Sequence, residues 1–218
     1  MRDALKHRTL SGALLDDLRQ AILSGVYSPG TQLRQDMLAA TYNVSRIPIR
    51  EVLFQLEAEG LVRIVPQKGA VVAPLSLSEI HDVFDLRAIL EPRLLAASAP
   101  HLAAEDFDRL DALQAQFVAA TSAGDKTQYG TLNAALHQAF YRHADLPRTT
   151  QTVASLLQIS DRYTRLQLST PEAMARAVSE HAALIALCRE GRFDAAAAAL
   201  KDHVEQVRAD LLAVLELG

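Results

Sequence analysis

The order of secondary-structure signals in the first 75 residues most constrains what this chain can fold into. Apolar residues recur at helical spacing over 10–23, and turn residues follow. A second short helix is predicted over 34–42, and a third over 46–59 that ends at Gly60. Two β-branched runs on either side of 66–69 then predict a hairpin. Helix, helix, helix and hairpin is the order of a winged helix-turn-helix.

After Pro74 the signals are helical throughout. Ser76 and Glu79 have the spacing of a capping box and predict a helix that continues to about Ala99. Pro92 lies inside that helix and predicts a kink or a break. Further helices are predicted over 104–123, 125–144, 148–168, 171–190 and 193–217. We therefore predict a mainly α protein, with a winged helix-turn-helix over 1–75 and an all-helical domain over 76–218.

The charge is distributed unevenly between these two parts. The whole chain has a net charge of −4, but residues 1–75 carry 9 Lys/Arg against 7 Asp/Glu, a balance of +2. Only one part of a DNA-binding protein has to face phosphate, so the net charge of each part is the informative quantity.

The single cysteine, Cys188, excludes an internal disulfide. Because apolar runs are short and acids interrupt the N-terminus, we expect a cytoplasmic protein without membrane contact.

The third predicted helix combines an apolar face with two arginines. Arg46 and Arg50 are four residues apart, so they project from one face near the N-terminus of the helix. A helix with this arrangement can enter the major groove, where arginine pairs with guanine O6 and N7. Lys68 and Gly69 at the hairpin tip would let the wing approach the DNA. The alternative is a solvated basic face on a helical hairpin.

Histidines in the second part have a spacing that suits a metal ion. Asn133 and His137 are four residues apart on one predicted helix. His181 and His203 are equally far from Arg192, in a turn between two helices, so they should lie side by side. Three imidazoles and an amide oxygen suit a divalent transition metal. The alternative is that the histidines are packed or surface residues.

Two segments carry a family resemblance in the N-terminal part. LRQAILSGVYSPGTQL and NVSRIPIREVLFQLEAEGLV resemble the DNA-binding domain of GntR-family regulators over about residues 14–73. The resemblance implies that Arg46 and Arg50 read bases. It also implies that Ser45, Lys68 and Gly69 contact the DNA nearby.

Two positions depart from the family pattern. The family often has Thr where Ile47 stands, and FadR-like members can carry a DNA-contacting Arg where this chain has Asp36. The operator sequence of a relative is therefore not transferable to this chain.

The second part resembles the FCD ligand-binding domain of FadR-type regulators over roughly 78–215. The resemblance rests on VFDLRAILEPRLLAASA, NAALH, EHAALIALCREGRFD and His203. It implies that His137, His181 and His203 hold a divalent metal, with Zn²⁺ or Ni²⁺ as candidates. Asn133 stands where metal-binding members have Asp, so it supplies an oxygen without a negative charge.

The same resemblance implies a carboxylate effector held by arginines. Arg87 is the main candidate, with Arg162 and Arg165 on a later helix as further ones. An arginine among apolar residues is costly to bury without an anion. For Arg87 that anion is either the effector or Glu91, one turn further along the helix.

These interpretations lead to one main function and two alternatives. The main one is a ligand-responsive homodimeric transcription regulator that reads an inverted repeat in operator DNA. A repressor is the first expectation and an activator the alternative. The first alternative is a direct metal sensor, in which the ion itself is the effector. The second is a metalloenzyme that uses the histidines, which the paired arginines of a recognition helix argue against.

Overall fold

The computed structural model divides the chain into two compact units between residues 75 and 76. The structure describes residues 10–23, 25–66, 68–74, 76–168 and 170–216, without the side chains of residues 162, 165, 166 and 216. The architecture is mainly helical, as predicted.

Helices α1 (Leu10–Leu23), α2 (Gln35–Tyr42) and α3 (Arg46–Ala58) belong to the first unit. Helix α1 packs on α3, and the buried apolar faces of both helices form its core. Helix α2 ends at Asn43, whose φ of 52° places it in the left-handed region that asparagine tolerates. This tight turn joins α2 to α3, so the helix-turn-helix is formed as predicted.

A small antiparallel sheet completes the first unit within the described ranges. Strands β1 (Gln32–Leu33), β2 (Val62–Val65) and β3 (Gly69–Val72) are ordered β1-β3-β2, with Val65 opposite Gly69 and Leu33 opposite Ala70. The predicted hairpin is therefore confirmed as β2 and β3. Strand β1 was not predicted, because two residues are too few to show an alternating pattern.

The second unit is built from helices. The described helices are α4 (Leu77–Ser98), α5 (Ala104–Ala123), α6 (Tyr129–Phe140), α7 (Pro147–Gln167), α8 (Pro171–Arg189) and α9 (Phe193–Glu216), with a short 3₁₀ helix at Ala99–His101. Helix α4 packs along α9 and α7, while α8 packs on α9 and α5. None of the helices in the described residues has both the length and the apolar composition that crossing a membrane requires.

Of the two effects predicted for Pro92, a kink or a break, the break is wrong, because α4 continues through the proline. Losing a helical hydrogen bond and crowding the preceding turn costs about 3 kcal/mol. Ile80 and Phe84 before the proline and Leu94 and Leu95 after it are all buried. Each buried side chain of this size stabilises the fold by about 1.5–3 kcal/mol, so packing on both sides of Pro92 keeps the helix continuous.

Helix α6 is shorter than the predicted span 125–144. The Asp125 carboxylate accepts hydrogen bonds from the Thr127 N–H (3.1 Å) and hydroxyl (2.5 Å). An aspartate that binds its local backbone in this way stabilises a turn in competition with the helix. The helix therefore begins only at Tyr129.

Candidate functional site

Helix α3 has one buried and one exposed face. Ile49, Val52, Leu53 and Leu56 are at most 1% exposed, whereas Arg46 and Arg50 are exposed. Ser45 stands at the N-cap position of α3, and its side chain makes no capping hydrogen bond to the described backbone. Ser45 is itself exposed just before the exposed face of the helix.

Each arginine has a neighbouring side chain that contacts its guanidinium group. The Arg46 Nε forms an ion pair with the carboxylate of Asp36 on α2. The Arg50 guanidinium lies over the Phe54 ring, 5.6 Å from its centroid. An exposed aromatic ring of this kind orients a guanidinium by a cation–π interaction. The two positive side chains are thus presented to solvent rather than folded onto the unit.

The tip of the β2–β3 hairpin is also exposed. Gly69 has a φ of +77°, a conformation that glycine adopts without strain, and Lys68 beside it is exposed. The Lys68 N–H donates to the Val65 carbonyl over 3.1 Å, and the Gln32 side-chain amide donates to the Lys68 carbonyl. These hydrogen bonds hold the tip in shape.

In the second unit, His137 of α6, His181 of α8 and His203 of α9 lie together. They are 1%, 0% and 3% exposed. Their ring centroids are 4.9 Å apart for His181 and His203, 5.4 Å for His137 and His203, and 5.5 Å for His137 and His181. The structure therefore brings together the three histidines that the sequence singled out.

Carboxylates orient two of the three rings. The Nδ1 of His137 is 2.6 Å from Glu91, and the Nδ1 of His203 is 2.6 Å from Glu180. A carboxylate accepts hydrogen bonds, so each Nδ1 carries the hydrogen and each Nε2 keeps its lone pair. A carboxylate–histidine pair of this form is typical of metal ligands.

Several ring nitrogens in this cluster are buried without a hydrogen bond. His137 Nε2 and both nitrogens of His181 have no hydrogen-bond partner among the described residues. A buried polar atom without a partner costs about 1–3 kcal/mol, which a bound ion would offset.

Glu91 connects the histidine cluster to α4. Its carboxylate accepts hydrogen bonds from Arg87 Nε (2.5 Å), His137 Nδ1 (2.6 Å) and the Tyr141 hydroxyl (2.5 Å). Burial by itself would raise the pKa of Glu91, but the positive charge of Arg87 and these hydrogen bonds bring it well below its usual range. Glu91 is thus an anion inside the unit, with Arg87 as its counter-charge.

Two of these histidines, His137 and His181, are held in the neutral form. Burial lowers the pKa of His137, although Glu91 acts in the opposite direction. Burial and the neighbouring His203 and His137 bring the pKa of His181 well below its usual value. Neutral imidazole is the form that coordinates a metal.

The spacing of the nitrogens suits a single ion. One ligand nitrogen from each histidine can be chosen so that all three lie within 4.8 Å of one another. Zinc–nitrogen bonds are about 2.0–2.1 Å long, so two nitrogens on one tetrahedral zinc ion are about 3.3–3.4 Å apart. Three converging imidazole nitrogens are a donor set that fits a divalent transition metal, which would draw them closer together on binding.

Asn133 and Arg87 lie next to this cluster. Together with His203, Thr164 and Gln167 they line a cavity of about 10 Å³. This volume is close to the minimum that a single water molecule needs. The structure thus brings Asn133 and Arg87 to His203, but the space between them is too small for an organic acid. Arg162 and Arg165 lie on α7, and their side chains are outside the described ones.

Sequence reasoning missed three members of this network. Glu91 was considered only as a partner of Arg87, and Glu180 and Tyr141 were not considered at all. Glu180 precedes His181 in the chain yet binds His203 on the next helix, a contact that helix packing alone creates. For Tyr141, the local signal in the sequence was its spacing of four residues from His137, which places both on one helix face.

Together, the helix-turn-helix with its wing and the helical unit with a histidine cluster define a DNA-binding transcription regulator with a second, all-helical domain. Residues 10–72 match the model of the gntR family of bacterial regulatory proteins, and residues 82–206 match the FCD domain. The chain therefore belongs to the GntR family and carries an FCD domain. This family consists of transcription regulators, so the metalloenzyme alternative is wrong.

Individual relatives agree with this assignment. The chain is 31% identical over 198 residues, 89% of its length and 81% of the relative's, to an HTH-type transcriptional regulator in an unstable DNA locus of Streptomyces ambofaciens. It is 42% identical over 79 residues, 36% of each chain, to the HTH-type transcriptional repressor GlaR of Escherichia coli. The structure of E. coli McbR/YncC matches 94% of this chain and 97% of its own, with a TM-score of 0.79 at 20% identity, and shows the same fold.

Proposed function

We propose that this regulator represses transcription by binding an operator through the exposed face of α3. Arg46 and Arg50 contact base edges, while Ser45, Lys68 and Gly69 contact the backbone or the adjacent groove. The observation that supports this most strongly is the division of α3 into a buried apolar face and an exposed face with two oriented guanidinium groups. As a DNA-binding protein it would act in the cytoplasm.

Selection of duplexes from a random pool by the purified full chain tests this proposal. The Arg50→Ala variant should bind the selected duplex more weakly by about 1–3 kcal/mol, because a bidentate contact to guanine is lost. Arg109→Ala, a change of the same type at an exposed position of α5 in the other unit, is the matched control and should leave the affinity unchanged. Equal affinities of Arg50→Ala and wild type for the selected duplex would contradict the role of α3.

The operator is expected to be an inverted repeat read by a homodimer. One winged helix buries little surface on DNA, and two copies on a palindrome double the number of contacts. Sedimentation of the free protein and footprinting of the selected duplex test this. A monomer that protects a single half-site would contradict it.

For the second unit we propose a divalent metal, Zn²⁺ or Ni²⁺, held by His137, His181 and His203, with Asn133 as a weak fourth ligand. The support comes from the orphaned ring nitrogens and the carboxylates that orient the rings. When bound, the ion would supply a fixed positive charge inside an apolar bundle.

Elemental analysis of untagged protein purified without chelators tests the metal proposal. His181→Gln, which removes the imidazole at similar volume, should reduce the metal content from stoichiometric to background. His101→Gln is the control, because His101 is exposed on the 3₁₀ helix. Absence of metal from wild type after incubation with Zn²⁺ or Ni²⁺ would show that the histidines only pack.

The effector in the main proposal is a small carboxylate bound to the metal, with Arg87, and by resemblance Arg162 and Arg165, balancing its charge. Such a ligand regulates only if it binds one conformation better than another. The cavity of about 10 Å³ would have to enlarge to admit it.

Two observations favour the second candidate, a direct metal sensor. Arg87 is already paired with Glu91 at 2.5 Å, and the cavity has room for about one water-sized ligand. DNA binding measured against metal alone, and against metal with a panel of carboxylates, separates the two. A response to metal alone identifies the sensor, and a response that needs a carboxylate identifies the ligand-responsive regulator.

A further inference from the structure

The first turns of α2 and α3 are linked by an ion pair. Asp36 in the first turn of α2 binds the Nε of Arg46, the first residue of α3. The two side chains are 57% and 71% exposed. The positive end of the α2 dipole favours a carboxylate at this position. The pair therefore lies on the surface from which Arg46 would approach DNA.

The atom involved in this contact determines what Arg46 can still do. A guanidinium presents five N–H donors in a rigid planar fork. The ion pair brings the Asp36 carboxylate to Nε, on the inner side of the fork. The two terminal Nη groups are the donors that can match the O6 and N7 acceptors of guanine in the major groove. The attraction of Asp36 at Nε favours an end-on approach of Arg46 to a base.

The Asp36 charge also acts on DNA directly. An exposed carboxylate repels phosphate and the acceptor atoms of base edges, so it opposes binding wherever Arg46 does not compensate for it. An exposed ion pair contributes little in water, but the same pair strengthens when DNA displaces the surrounding solvent. Asp36 should therefore lower the affinity of the protein for most DNA sequences more than it lowers the affinity for the operator sequence. A repulsive element of this kind increases specificity.

We propose that Asp36 is a specificity-determining residue, which holds Arg46 by its Nε and so confines the base contact of Arg46 to guanine. This inference rests on the proposed base-reading role of Arg46. It also assigns a function to Asp36, the position where the sequence departs from FadR-like members.

The experiment uses the full chain and a duplex selected by wild type from a random pool. The affinity of wild type and of Arg46→Ala is then measured for single-base replacements in that duplex. The guanine read by Arg46 is the one whose replacement weakens binding by wild type but not binding by Arg46→Ala. Wild type should prefer that guanine over adenine by roughly 5- to 150-fold. Asp36→Asn, which keeps the shape and removes the charge, should reduce this preference by roughly fivefold. It should also bind a scrambled duplex more tightly than wild type does.

Two controls separate a local effect from a general change in charge. Asp16→Asn removes one negative charge from α1 in the same unit, where Asp16 pairs with Arg19. It should leave the preference for guanine unchanged. In the Arg46→Ala background, Asp36→Asn should likewise leave the base preference unchanged, because the residue through which Asp36 acts is gone.

The outcomes distinguish failure of this inference from failure of the proposed function. If Arg46→Ala shows wild-type affinity and base preference, the base-reading role of Arg46 is wrong, and the inference falls with it. If Arg46→Ala loses the preference while Asp36→Asn retains it in full, the inference alone is overturned. An effect of Asp16→Asn as large as that of Asp36→Asn would also overturn it.

Discussion

Replacing Glu91 by glutamine tests whether the buried network of the helical unit is a true ion pair. Glu91 is 0% exposed and Arg87 2% exposed, and the Glu91 carboxylate accepts hydrogen bonds from Arg87, His137 and Tyr141. Glutamine keeps the volume but offers one acceptor oxygen and brings N–H donors toward other donors. Arg87 would then be a buried charge without a counter-charge.

Removing one partner of a buried ion pair costs about 3–5 kcal/mol, so we expect Glu91→Gln to lower the free energy of unfolding by about that amount. The effect should depend on pH. Because the pKa of Glu91 is lowered in the folded state, its stabilisation is complete above the usual value near 4.5 and is lost as the pH falls through the lowered pKa. The difference between wild type and variant should therefore narrow in acid.

Urea denaturation in the presence of a chelator, followed by circular dichroism at the helical band, measures this difference without a contribution from metal. Asp108→Asn, an exposed carboxylate on α5, is the control and should change stability by less than about 0.5 kcal/mol. Arg87→Met combined with Glu91→Gln should show a coupling energy of about 1–3 kcal/mol. If Glu91→Gln lowers the free energy of unfolding by less than about 1 kcal/mol, and by the same amount at every pH, Glu91 and Arg87 do not form a buried ion pair of this strength.

Three further predictions follow from the helical unit. Asn133→Asp should tighten zinc binding by about tenfold or more, measured by competition with a chromophoric chelator, because it adds a negative charge beside the cluster. Glu180→Gln should weaken zinc binding by about 10–100-fold in the same assay, since it loosens the orientation of His203, and unchanged affinity would exclude that role. Gly130→Ala should lower the free energy of unfolding by about 1–3 kcal/mol, because a Cβ there would lie 1.3 Å from Asp161 Oδ1 and 3.0 Å from Asp161 Cα. A melting temperature equal to that of wild type would contradict this close approach of α6 and α7.

The sequence predicted those features whose signals are local. The helix start predicted at Ser76 is confirmed, with the Ser76 hydroxyl accepting from the Glu79 N–H over 3.4 Å. The side-by-side placement of His181 and His203 was predictable, because both lie equally far from the turn that joins their helices. In each case the information lies within one helix or one helical hairpin.

The features that escaped prediction depend on packing between distant segments. The helix to about Ala99 was predicted, but whether Pro92 would break it was not decided by local signals. Burial of α4 against α7 and α9 opposes the local preference of proline and prevents the break. The meeting of Glu91 with His137 requires α4 and α6 to be placed correctly, and no spacing in the sequence specifies that. The exposed Asp36–Arg46 pair likewise depends on the angle between two helices.

The position of the histidines on three different helices has a thermodynamic consequence for folding. His137, His181 and His203 are separated along the chain and come together only when α6, α8 and α9 pack. An ion that all three bind would favour the folded chain over the unfolded one, by about 2.7 kcal/mol at a free concentration one hundred times its dissociation constant. The amount of folded regulator in a cell would then follow the free metal concentration, whether or not the metal changes the affinity for DNA. The cluster would thus link metal supply to the lifetime of the protein.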